Sequence, residues 1–81
     1  MKFMFNERKV KKMTNTLRLK AAIIESGYTQ EQIAKMLGIS NTTFNYKINN
    51  KREFKASEIQ QLVKILNLQD VNGIFFTPDV D

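Results

Sequence analysis

Gln30-Glu31-Gln32-Ile33-Ala34-Lys35-Met36-Leu37-Gly38-Ile39-Ser40-Asn41-Thr42-Thr43-Phe44 is the stretch whose reading decides the fold. Thr29 and Gln32 stand three apart in a capping-box pattern, so a helix opens here, and Ile33, Ala34 and Leu37 fall on one of its faces before Gly38 stops it. Ser40 is placed to cap a second helix reaching about Asn49, in which Phe44 and Ile48, four apart, share the inward side. Two helices joined this tightly must cross steeply. Ala34 is small enough to let them approach, Gly38 tolerates the positive φ such a turn needs, and Ile33, Leu37, Ile39 and Phe44 fill the wedge between them.

Working outward, Leu17 to about Glu25 is rich in helix formers, with Leu19, Ala22 and Ile23 at i, i+3, i+4 spacing, and it ends at Ser26-Gly27. On the other side, Ile59, Leu62, Val63 and Leu66 repeat at i, i+3, i+4, i+7 in a helix beginning near Ala56 or Ser57. Asp70 is placed to cap a last short helix presenting Val71, Ile74 and Phe75, and Pro78 ends regular structure. The expectation is an all-α, compact five-helix domain over residues 14–77, with a flexible basic arm at 1–13 and a tail at 78–81. No strand-like alternation competes with that reading. Because Met13 directly precedes the cap-like Thr14-Asn15-Thr16, the first residues also read as an extension upstream of the domain proper.

Composition narrows the function. A chain of 81 residues without histidine or cysteine lacks imidazole acid–base groups, thiol nucleophiles, disulfides and the usual zinc ligands. Glu31, Glu53 and Glu58 lie on separate elements with no catalytic spacing, so the expectation is no enzyme, no metal and no cofactor. The longest strictly apolar run, Ala21 to Ile24, is too short to span a bilayer or form a signal-peptide core, which predicts a cytoplasmic protein with no membrane contact. The formal charge of +5 is unevenly placed, because residues 1–13 hold +4 of it. Local placement therefore carries more weight than net charge.

The outer face of the helix after Ser40 carries Asn41, Thr42, Asn45, Tyr46 and Asn49, residue types suited to base edges. Asparagine donates and accepts together at adenine, and the threonine methyl meets that of thymine. Lys47, Lys51, Arg52 and Lys55 against Glu53 give +3 around the end of this helix, where phosphates can be clamped. Gln30 and Ser40, with Thr43, add donors at helix starts where the dipole favours a phosphate oxygen.

These residues resemble the helix-turn-helix of the Cro/lambda-repressor-like family. Thr29-Gln30, Ile33-Ala34, Leu37-Gly38-Ile39-Ser40 and Asn49-Asn50-Lys51-Arg52 match its motif, and the similarity extends over roughly residues 15–76. The resemblance implies a homodimer placing its third helix in the major groove of double-stranded operator DNA as a phage-type repressor, with no small-molecule ligand. It implies base contacts from Asn41, Thr42 and Tyr46, and phosphate contacts from Gln30, Ser40, Asn49 and Lys51.

Four positions depart from the family pattern. Lys47 replaces an apolar residue and is expected to snorkel from the core edge towards phosphate. Ile48 and Ile23 stand where the family carries a glutamate–arginine pair, so an apolar contact is expected there. Asn50 takes the place of a glycine, as the best non-glycine residue for a left-handed helix end. The apolar C-terminal segment supplies the dimer candidates Ile74, Phe75, Phe76 and Val80, although Ile74 and Phe75 read equally well as core. The alternative function is an antitoxin-like protein-interaction module whose DNA binding is secondary.

Overall fold

The computed structural model describes residues 11–79. Five helices form the domain: α1 (Thr16–Ser26), α2 (Gln30–Leu37), α3 (Asn41–Ile48), α4 (Ala56–Leu66) and α5 (Val71–Phe75). The all-α expectation holds. Each start is fixed by a local side chain taking up a backbone N–H that the first turn leaves unpaired. Asn15 accepts from Arg18 N, Thr29 and Gln32 bond each other's backbone N–H at 3.0 and 2.8 Å, Ser40 accepts from Thr43 N, and Asp70 accepts from Gly73 N. The α2 end is equally local: Gly38 sits at φ 78° and donates back to Ala34 and Lys35 carbonyls. Asn67 ends α4 in the same left-handed conformation without being a glycine, at φ 53°.

All five helices contribute to one core. Leu19 and Ile23 from α1, Ile33 and Ala34 from α2, and Phe44 and Ile48 from α3 meet Leu62 and Leu66 from α4 and Ile74 and Phe75 from α5. Ile23 and Ile48 are thus apolar core residues together, as expected in place of an ion pair. Phe54, from the loop between α3 and α4, stands edge-on to Phe44 at 6.1 Å and to Phe75 at 5.5 Å. This aromatic row pins the loop onto the core, each edge-to-face pair adding roughly 0.5–1.5 kcal/mol beyond burial.

One element is absent from the sequence reading. Lys11–Met13 (β1) pairs antiparallel with Thr77–Asp79 (β2), in the register Lys11↔Asp79, Lys12↔Pro78, Met13↔Thr77. Residues 11–13, expected in the arm, and 78–79, expected in the tail, are thereby drawn onto the domain. Three residues are too few to show a period-two pattern, and Pro78 is tolerated because every strand of a two-stranded ribbon is an edge. The ribbon forms where its two segments are already held together by Asn15 N donating to Ile74 O at 2.6 Å, and Thr77 Oγ1, donating to Gly73 O at 3.1 Å, fixes the start of β2 against α5. The rest of the expected arm, residues 1–10, lies outside the described residues.

Candidate nucleic-acid interface

The helix pair α2–α3 presents its polar face as an interconnected set. Asn41, Thr42, Asn45 and Tyr46 are all exposed along α3. Gln30 Nε2, at the start of α2, donates to Asn41 Oδ1 at 3.1 Å and to Asn45 Oδ1 at 3.5 Å. Asn49 Nδ2 donates to Asn45 O at 2.9 Å and to its Oδ1 at 3.3 Å. The side-chain oxygens of Asn41 and Asn45 are therefore engaged within the protein, and their NH₂ groups are left to donate outward. The bracing also restricts rotamers before any ligand arrives, which reduces the ordering cost of binding.

Ser40 and Thr43 divide the labour at the α3 start. Ser40 Oγ accepts from Thr43 N and lies 3.0 Å from Thr43 Oγ1, so its hydroxyl serves the cap. With Ser40 donating in that pair, the Thr43 hydroxyl proton can turn to an anion at the positive end of the helix dipole. At the other end, Lys51, Arg52 and Lys55 are exposed on the loop after α3. The Arg52 guanidinium lies 5.8 Å from the centre of the Tyr46 ring, joining a cation to the exposed polar stripe.

Lys47 is a correction. Expected to reach phosphate, it is only 6% exposed, and its ammonium donates to Glu58 Oε1 at 2.7 Å and Oε2 at 2.8 Å. Glu58, 5% exposed, also accepts from the Lys55 backbone N–H at 2.8 Å, opening α4. Burial pushes the Glu58 carboxyl up, but the hydrogen bonds from Lys47 and Lys55 N–H, together with both lysine charges, hold it below its ordinary value. Lys47 lies three residues after Phe44, on the inward side of α3, so its short route is to the buried carboxylate. The exposed cations Lys51, Arg52 and Lys55 against Glu53 then leave +2 rather than +3 at this flank.

The dimer candidates divide as well. Ile74 and Phe75, at 5% and 4% exposure, close the base of the core and cannot form a contact surface. Phe76 is partly exposed, and Val80 lies outside the described residues.

Asn50 does more than its sequence position suggested. At φ 64° it is left-handed, as expected, and its side-chain amide also pairs with the Thr14 backbone, accepting from Thr14 N and donating to Thr14 O at 2.8 Å each. Thr16 Oγ1 adds a 2.7 Å bond to Ile48 O. The segment entering α1 is thereby stitched to the end of α3, and a groove of about 550 Å³ opens there between Met13 and Phe54.

Sequence reasoning missed Glu58 as the partner of Lys47, and it missed this amide clasp. The inward register of Lys47 and the N3 position of Glu58 were the signals available for the first. Among the described residues, no group of three His, Cys, Asp or Glu side chains could hold a metal ion, and no helix is long and apolar enough to cross a membrane.

Comparison with known proteins places a family model, described as protein of unknown function (DUF739), over residues 13–78. No curated protein and no solved structure matched the chain.

Proposed function

The chain belongs to this family of proteins of unknown function, and from its own site we propose that it is a sequence-specific regulator of transcription that inserts α3 into the major groove of double-stranded DNA. The carrying observation is the braced polar stripe, with Asn41 and Asn45 held by Gln30 beside the exposed cations Lys51, Arg52 and Lys55. Asn41, Thr42, Asn45 and Tyr46 read base edges, with donors offered by the asparagine NH₂ groups and a methyl by Thr42. Thr43, Lys51, Arg52 and Lys55 grip the backbone and set the register, while the side-chain donors of Gln30, Ser40 and Asn49 are already spent within the protein. In this reading two copies occupy a near-palindromic operator and repress by occupancy, as a Cro-like protein would.

The test is selection of bound duplexes from a random pool at physiological salt. An enriched inverted repeat with half-sites about one helical turn apart supports the reading. Absence of any enriched motif would overturn it. A second reading, the antitoxin-like interaction module, draws support from Leu17 and Ile24, which stand 80% exposed on α1 and invite a protein partner.

A further inference from the structure

α1 is apolar on two sides. Leu19 and Ile23 face the core, while Leu17 and Ile24 are each 80% exposed on the opposite side, with the exposed Ala21 between them and Tyr28, 44% exposed, just beyond the helix end. At about 100° per residue, Leu17, Ala21 and Ile24 fall within one narrow stripe. Leucine and isoleucine at this exposure, on a helix that already buries its other face, mark a contact surface rather than scattered surface apolarity.

We propose that the outer face of α1 is the homodimer contact of this protein, two copies packing their α1 helices antiparallel about a two-fold axis at Ala21. This inference rests on the dimeric part of the DNA-binding reading and supplies the surface that the buried Ile74 and Phe75 cannot. The sequence of the stripe selects a second copy as the occupant. With the axis at Ala21, Leu17 stands four residues before it and Ile24 three after, so Leu17 of one copy lies within about 1.5 Å, along the helix, of Ile24 of the other.

Charge follows the same symmetry. Arg18 and Glu25 share one flank of the stripe, and in an antiparallel two-fold pair like flanks meet, so Arg18 of each copy faces Glu25 of the other. The Arg18 guanidinium is half-exposed and spends one nitrogen on Asp70, at 3.0 Å, keeping further N–H donors for that contact. Ala21 at the centre lets the helices close. The opposite flank carries Lys20 towards its own copy, and its long stem must splay into solvent.

An interface built on three helical turns is small, and it predicts a weak dimer in solution that tightens when DNA holds two copies side by side. The stripe shares no residue with the α3 face, so one chain can engage both.

The chain has no cysteine, which makes the geometry directly readable. Helix axes about 8–10 Å apart bring the two copies of residue 21 within the Cα separation a disulfide requires. The full-length Ala21→Cys protein is expected to form a disulfide-linked dimer on mild oxidation on the order of a hundredfold faster than Gln61→Cys, an exposed control on α4. Adding Ile24→Lys should remove that advantage while leaving the helical circular dichroism unchanged. Equal oxidation rates for the two single cysteines, or an Ala21→Cys rate that Ile24→Lys does not alter, would overturn the proposal, as would a protein partner that protects Ala21→Cys while the chain alone stays monomeric at all concentrations. The cross-link needs no DNA, so its failure leaves operator binding standing, and a failed operator selection leaves the cross-link standing.

Discussion

Removing the Glu58 carboxylate strands Lys47. In Glu58→Ala the ammonium loses both of its acceptor contacts, 2.7 and 2.8 Å, at a site where lysine is 6% exposed, and the Lys55 N–H loses its 2.8 Å partner. Breaking a buried pair from one side costs about 3–5 kcal/mol, because the remaining charge must be desolvated without compensation. For a domain of this size each kcal/mol lowers the melting temperature by roughly 4–8 °C, so a drop of at least about 12 °C is expected in thermal unfolding followed by circular dichroism. Replacing both partners, Lys47→Met with Glu58→Leu, should return stability to within about 1.5 kcal/mol of the parent, since a well-packed apolar pair needs no desolvation. The double variant also tests the corrected role of Lys47. Its DNA affinity and the salt dependence of that affinity should match the parent, whereas a lost phosphate contact would lower the logarithmic salt slope by about 0.9. A Glu58→Ala melting temperature within a few degrees of the parent would refute the buried-pair reasoning, and a reduced salt slope in the double variant would restore Lys47 to the phosphate set.

Acid should act through the same carboxylate. The folded value of Glu58 lies below the ordinary 4.5, so the stability it contributes is fully present above that pH and is lost as pH falls through the lowered folded value. Melting temperatures measured from pH 7 down to pH 3 should fall, and the Lys47→Met/Glu58→Leu protein should fall less; parallel profiles would count against the assignment. At Asn50, urea unfolding should show Asn50→Ala costing about 1–2 kcal/mol more than Asn50→Gly, because both lose the Thr14 clasp but only alanine retains the penalty at φ 64°. Ile48→Glu places a charge at a fully buried core position and should lower the melting temperature sharply; an unchanged melt would sink the apolar Ile23–Ile48 account. On a panel of operator variants, Asn41→Ala or Thr42→Ala should relax discrimination by roughly 1–3 kcal/mol at particular base pairs, while Lys51→Ala should weaken all duplexes alike. Identical behaviour of the two kinds of variant would erase the division into base readers and phosphate clamps.

The helices themselves were legible because their determinants are local. Thr29 with Gln32, Gly38, Ser40 and Asp70 act on backbone groups within four residues, so position in the chain alone reveals what they do. The exposed stripe from Asn41 to Tyr46 was legible for the same reason, since helical periodicity assigns a face once Phe44 and Ile48 are known to point inward. The left-handed Asn50 could be placed from its residue type and its position after a helix.

What joins distant parts of the chain could not be read in this way. Thr14 and Asn50 are 36 residues apart, and only the packed helices show that an amide evident as a helix end also holds the entry to α1. The ribbon between residues 11–13 and 77–79 has no local propensity to reveal it and exists because the α1 and α5 ends are already held together. Lys47 was legible as a lysine on the inward side of α3, but Glu53, Glu58 or a phosphate could each have answered it. Sequence determined which residues each helix turns inward and which outward. Only the tertiary structure decided which inward charge found a partner, because that depends on how α4 lies against α3, a long-range packing outcome that no local pattern encodes.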